Sequence, residues 1–145
     1  MNSITSLIQK TYQRLDTVPY DALAIPLRLA VATVFWNSAM AKFANWETTL
    51  ELFTSEYGIP LLPPEVAAYL ASAIEVSAPP LLVLGLLTRP AAAVLLGMTA
   101  VIQLFVYPQA WPTHIQWGAM LLLLLCRGAG RLSLDHGIAR LFKVR

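Results

Sequence analysis

Residues 72–87, SAIEVSAPPLLVLGLL, read as the inside of a membrane interrupted by one carboxylate, Glu75, and two adjacent helix breakers, Pro79 and Pro80. Proline lacks the N–H that would bond the carbonyl four residues earlier. Pro79 therefore frees the carbonyl of Glu75 and Pro80 that of Val76, and at membrane depth such groups must be satisfied by protein, water or ligand. A carboxylate and open backbone acceptors thus collect at one level of an apolar helix, which is expected to bend there. Around them Ala68, Ala71, Ser72, Ala78 and Gly85 keep the helix surface slim enough for a neighbour to approach closely.

The rest of the chain agrees with a membrane setting. Of 145 residues, 57% are hydrophobic and 12% charged, where a soluble domain carries roughly 25% charged residues. Mean hydropathy is +0.62. The length fits one domain, and a formal charge of +2 argues against a nucleic-acid partner. The lone cysteine, Cys126, excludes an internal disulfide or dithiol redox pair. No secretory signal is evident in residues 1–21, and Asp16 and Asp21 argue against a transit peptide. Ile4, Leu7, Ile8, Tyr12 and Leu15 recur there at helical spacing, which reads as a short helix on the membrane surface.

A crossing helix needs about 20 mostly apolar residues, and residues 22–44, 64–87, 90–107 and 112–127 are the candidates, the last one short. Basic residues mark the cytoplasmic side. Lys10 and Arg14 precede the first span, Arg89 lies in a two-residue turn between the second and third, and Arg131, Arg140, Lys143 and Arg145 follow the fourth. The first loop instead carries Glu47, Glu51 and Glu56, so both termini are expected inside and this loop outside. In that loop Trp46, Leu50, Phe53 and Tyr57 share a helical face, Thr48 with Glu51 fits a capping box, and Gly58 with Pro60 is a stop signal. The expected fold is all-α: an integral membrane four-helix up-down-up-down bundle with an outer amphipathic helix in the first loop. Residues 1–21 form an interfacial segment, 22–127 the bundle and 128–145 a basic cytoplasmic tail.

Ionisable groups at membrane depth are functional candidates because each costs several kcal/mol unless partnered. Here they are Arg28, Lys42 and Glu75. Arg28, Phe35 and Lys42 are spaced by sevens and therefore share one helix face, which must look inward. With the spans so drawn, Arg28 lies roughly 9 Å and Glu75 roughly 18 Å from the cytoplasmic end, so Arg28 with Glu75 is the first expected pairing and Lys42 with Glu75 the second. The plainer alternative is a pair that only locks the helices in register. Toward the outer side, His114 within WPTHIQW offers a proton acceptor, a headgroup donor or a metal ligand, with Thr113 and Gln116 as a cap. Trp46, Tyr57, Tyr107, Trp111 and Trp117 gather on that side as an interfacial belt. Candidate ligand contacts are His114, Trp117, Asn37, Ser38 and Gln103. No His, Cys or Met cluster has metal-ligand spacing, so no metal site is expected.

In order and spacing, RLAVATVFWNSAMAKF with Arg28 and Lys42, EVSAPPLLVLGLLTRPAA with Glu75, and HIQWGAMLLLLLCRGAGRLSLDH resemble the DoxX family of small bacterial membrane proteins over about residues 24–137. The tail is similar to the family's G-x-G-x-x-S-x-D element through Gly128, Gly130, Ser133 and Asp135, while Ala39 departs from a frequent glycine. The resemblance implies a four-helix bundle in the bacterial cytoplasmic membrane, linked to respiratory or redox chemistry. The leading expectation is a subunit of a membrane oxidoreductase in which Arg28, Lys42, Glu75 and His114 form a buried polar site. Quinone is the cofactor this implies, and a soluble or membrane redox protein, or a second copy, the partner beside the lipid bilayer. The alternatives are proton-coupled passage of a small solute and a ligand-free assembly or anchoring subunit.

Overall fold

The computed structural model describes residues 3–60 and 62–142. Within them the chain is helical throughout, with seven α-helices and no sheet. Helix α1 spans Ser3–Asp16, α2 Tyr20–Ala44, α3 Trp46–Ser55, α4 Pro64–Leu84 and α5 Thr88–Val101. A π-helical turn, Ile102–Val106, extends α5, and a 3-10 turn, Pro108–Ala110, leads into α6, Trp111–Arg127. Helix α7 spans Leu134–Leu141. Three helices among the described residues are long and apolar enough to cross a membrane: α2, α4 and α5 with its π turn. Helix α6 has 17 residues, a length of about 26 Å, slightly less than the hydrocarbon core of about 30 Å.

Helices α2, α4, α5 and α6 pack in a closed ring, each against the next, with α2 and α4 the most extensive pair. Val31 and Phe35 of α2, Leu82 of α4, Leu95 of α5 and Leu121 and Leu124 of α6 fill the centre. On α2 the buried positions Ala24, Arg28, Val31, Phe35 and Ala39 follow a helical period, so the seven-residue spacing of Arg28 and Phe35 does select the inward face. Ala39 is fully buried, its methyl accommodated where a glycine was the common alternative. Helix α4 continues through Pro79 and Pro80 to Leu84.

Helix α3 covers one mouth of this ring. Phe53 packs with Ala67 and Ala68 of α4, and Trp46, Leu50 and Tyr57 join the same cluster, matching the amphipathic face seen in the sequence. Its cap differs from the expected Thr48–Glu51 box. Asn45, one residue before α3, accepts the Thr48 N–H at 3.1 Å, because Asn45 is extended and leaves its side chain free to fold over the first turn. The expected cap by Thr113 and Gln116 is also absent. Helix α6 starts at Trp111 with Pro112 in its first turn and no side-chain cap.

The opposite mouth is closed by the C-terminal tail. The turn between α4 and α5 is Gly85–Leu87, and Thr88 and Arg89 already belong to α5 rather than to a two-residue turn. Gly85 adopts φ +66°, and Leu86 N–H bonds Leu81 O at 2.9 Å while Gly85 N–H bonds Leu82 O at 3.1 Å, the hydrogen-bond pattern of a Schellman stop. Asp135 then caps α5 from the tail: its carboxylate accepts Leu87 N–H at 2.7 Å and Thr88 N–H at 3.0 Å, and Asp135 N–H bonds Gly85 O at 2.9 Å. Tyr20 donates to Gly128 O at 2.7 Å, and Asp21 accepts Arg131 N–H at 2.6 Å. The tail read as basic and cytoplasmic is thus partly the folded helix α7, capped by Ser133. Lys143 and Arg145 lie outside the described residues.

Candidate functional site

Helices α2 and α4 run antiparallel with Ser38 against Glu75. Ser38 Oγ donates to Glu75 Oε1 at 3.1 Å, and Lys42 Nζ reaches Glu75 Oε2 at 2.6 Å and Ser38 Oγ at 2.9 Å. Ser38 and Lys42 are one helical turn apart, so both address the same carboxylate. The Glu75 side chain is 1% exposed and that of Lys42 17%, which makes the lysine the less enclosed member of the pair. A carboxylate so far from solvent persists because a cation and a hydroxyl occupy its oxygens.

This network lines a cavity of about 200 Å³ together with His114, Trp117, Met98 and Tyr57. His114 is 5% exposed and its ring lies 5.1 Å from that of Trp117, which in turn meets Phe35 edge-on at 5.7 Å. The π turn brings Gln103 to the histidine. Gln103 Nε2 donates to Pro108 O at 2.8 Å, which orients the amide so that Oε1 faces His114 Nδ1 at 2.7 Å. An amide oxygen only accepts, so Nδ1 carries a proton, and in the neutral ring Nε2 is then the atom that keeps the lone pair. The cavity therefore offers a donor at Lys42 and an acceptor at His114. Over its mouth the hydroxyls of Tyr57 and Tyr107 are 3.1 Å apart. Burial, and then the bond to Tyr107, push the Tyr57 hydroxyl above its ordinary pKa and keep it neutral.

The DoxX family profile matches residues 23–108, more than half of the chain. The chain belongs to the DoxX family. No curated protein and no solved structure matches it significantly. The DoxX match contains Ser38, Lys42, Glu75 and Gln103, whereas His114, Trp117 and the tail that closes the other mouth lie beyond it.

Of the residues read from the sequence, this DoxX protein brings Ser38, Lys42, Glu75, His114 and Trp117 around one cavity, with Gln103 holding the histidine. Arg28 is elsewhere, and the expected Arg28–Glu75 pair does not form. Arg28 and Ser38 are ten residues apart on α2, as are Glu75 on α4 and Gly85 just past its end. The register that sets Ser38 against Glu75 consequently sets Arg28 against Gly85, about 15 Å away along the helices. Helix α2 projects beyond the end of α4 to hold the tail, so aligning the start of the first span with the end of the second misplaced the pair. Arg28, 5% exposed, donates through Nη2 to Leu132 O at 3.0 Å and lies over Gly85, so it belongs to the closure of the tail. Asn37 is exposed on the outer face of α2 and does not line the cavity.

The sequence reading missed Tyr57 and Tyr107 as a lid and Asp135 as a cap. The Tyr57 signal was present, because its helical face had to cover something. Among the described residues no three His, Cys, Asp or Glu side chains gather as a metal site.

Proposed function

We propose that this DoxX protein is the quinone-binding membrane subunit of a redox system, with Lys42 donating to one oxygen of the ring and His114 Nε2 accepting, once the ring is reduced to the quinol, from the hydroxyl at the other. The observation that carries this reading is the pairing of donor and acceptor on opposite helices of one cavity, Lys42 with Glu75 and Ser38 on one side and His114 fixed by Gln103 on the other. At about 200 Å³ the cavity is smaller than the roughly 300–1,000 Å³ of drug-sized sites, a size suited to a headgroup. Trp117 and Phe35 supply flat apolar surface for a ring.

Quinone reduction takes up electrons and protons in equal number. The electrons come from a partner protein bearing a redox centre, since the chain has one cysteine and no metal cluster of its own among the described residues. Protons reach the ring by way of Lys42, which also lines a second, more polar cleft with Asn45, Thr48 and Thr49 under α3. Glu75 holds that lysine aimed at the cavity through the charge-assisted bond.

The reading includes a topology: α2, α4, α5 and α6 cross the bacterial cytoplasmic membrane up-down-up-down with both termini inside. Its support is the common end shared by α1, α7, Arg89, Arg127 and Arg131, against an α3 rich in acid. Helices α1 and α7 expose Ile4, Leu7, Leu15, Ile138 and Leu141, apolar faces suited to the headgroup zone. The same polar cleft at Lys42 favours proton-coupled passage of a small solute as the second reading, which predicts flux in proteoliposomes that fails in Glu75→Gln.

Binding tests the first reading. In nanodiscs, a short-tailed benzoquinone quenches the fluorescence of Trp117, identified as the reporter by Trp117→Phe. Lys42→Met weakens binding of the quinone about ten-fold or more, and His114→Phe weakens competition by the corresponding quinol by as much, the loss expected for a hydrogen bond to a charged or well-oriented group. Saturable quenching that neither substitution changes refutes the assignment.

A further inference from the structure

The headgroup cavity adjoins an apolar groove of about 520 Å³ between α4 and α5. Ile59, Ala71, Met98 and Val101 line both spaces and form the neck between them. Beyond the neck the groove is walled by Leu70 on α4 and by Val94 and Phe105 on α5 and its π turn, all exposed on the outer surface of the bundle. Pro60 and Leu62 of the connection after α3 complete the groove. No ionisable side chain among the described residues lines it, whereas the cleft under α3 that adjoins the same cavity is more polar and includes Lys42, Asn45 and Thr48. Polar and apolar approaches therefore reach the headgroup cavity from different sides.

We infer that the ligand comes from the bilayer, not from water: its head passes the Ala71–Met98 neck sideways and a long isoprenoid tail stays in the α4–α5 groove. The inference rests on the headgroup reading and adds the substrate class, a lipid-soluble quinone with a tail of several methylene or isoprene units. Met98 suits the neck because its unbranched side chain changes shape at little cost, and Ala71 opposite it leaves room for a flat ring to pass. Each buried methylene of the tail adds an apolar interaction that a tail-less ring lacks. Under this arrangement proton exchange and ligand exchange use separate openings, so the tail remains seated while Lys42 meets water.

The experiment compares two benzoquinones of identical headgroup, one without a tail and one with a decyl chain, by Trp117 quenching in nanodiscs with concentrations expressed per bilayer lipid. The wild-type protein is expected to bind the decyl compound more tightly. Val94→Phe and Leu70→Phe narrow the groove from opposite walls, without adding a second fluorophore, at exposed positions that touch neither Lys42 nor His114. Each is expected to weaken the decyl compound about ten-fold, the equivalent of burying about two fewer methylenes, while leaving the tail-less compound unchanged. If both compounds bind and neither substitution discriminates between them, the groove is not the tail site. Competition by decanol as strong as by the decyl quinone assigns the groove to lipid chains alone and overturns the inference. Failure of both quinones to quench wild-type Trp117 instead overturns the headgroup reading beneath it.

Discussion

With its carboxylate oxygens divided between Lys42 Nζ and Ser38 Oγ, Glu75 is stable only as part of a set. Removing one member of a buried pair leaves the other uncompensated, which costs about 3–5 kcal/mol in well-enclosed cases. Lys42 is the less enclosed of the two, so Glu75→Ala is expected to cost about 2–3 kcal/mol, read by SDS-induced unfolding in mixed micelles. The double variant Lys42→Met with Glu75→Leu keeps volume and removes both charges, and is expected to recover wild-type stability within about 1 kcal/mol. Its quinone binding stays lost. A double variant that still binds would reduce the pair to a packing device. At Gly85 the constraint is steric. Its positive φ and a Cβ that would come within 2.5 Å of Ser133 Cβ make Gly85→Ala destabilising by more than about 1 kcal/mol in the same assay.

At the scale of elements, the fixed ends of the helices follow from chain segments distant in sequence. The α5 N-terminus is capped by Asp135, which arrives from beyond α6. Asp135→Asn keeps the shape but gives up the charge and one of the two acceptors, leaving one of the Leu87 and Thr88 N–H groups facing an amide donor, and is expected to cost about 1–2 kcal/mol. Hydrogen exchange should then accelerate at Leu87 and Thr88 and through residues 128–142, while amides lining the cavity at Lys42 and Glu75 stay protected. Equal acceleration at both mouths would mean that the tail supports the cavity as well as the turn. Helix α3 had a legible period and an illegible cap. Its apolar face was written at Trp46, Leu50, Phe53 and Tyr57, whereas both Asn45 and Thr48 are capping residue types and only the backbone direction before α3 chose Asn45.

For the whole molecule, the topology yields to labelling. In Cys126→Ser carrying a single cysteine at Glu56 or at Arg140, an impermeant thiol reagent added to intact cells is expected to modify position 56 and not 140. Modification of 140 would invert the proposed orientation. Composition and periodicity alone pointed to a helical, apolar chain with a slim surface on its second long helix, and singled out Arg28, Lys42 and Glu75 as ionisable groups within apolar runs and His114 near the outer mouth. Those properties are local, since hydropathy and the 3.6-residue period depend only on neighbours along the chain. Which cation meets Glu75 was decided by the sliding of α4 along α2, which the ends of apolar runs leave free by several residues. The tertiary structure sets that register through bonds no single segment contains: Arg28 on the tail carbonyl of Leu132, Asp135 on α5, and Ser38 with Lys42 on the carboxylate. One turn of slippage moves a side chain about 5.4 Å, enough to break any of these bonds, and so the packed ring alone chose Lys42 for the cavity and Arg28 for the tail.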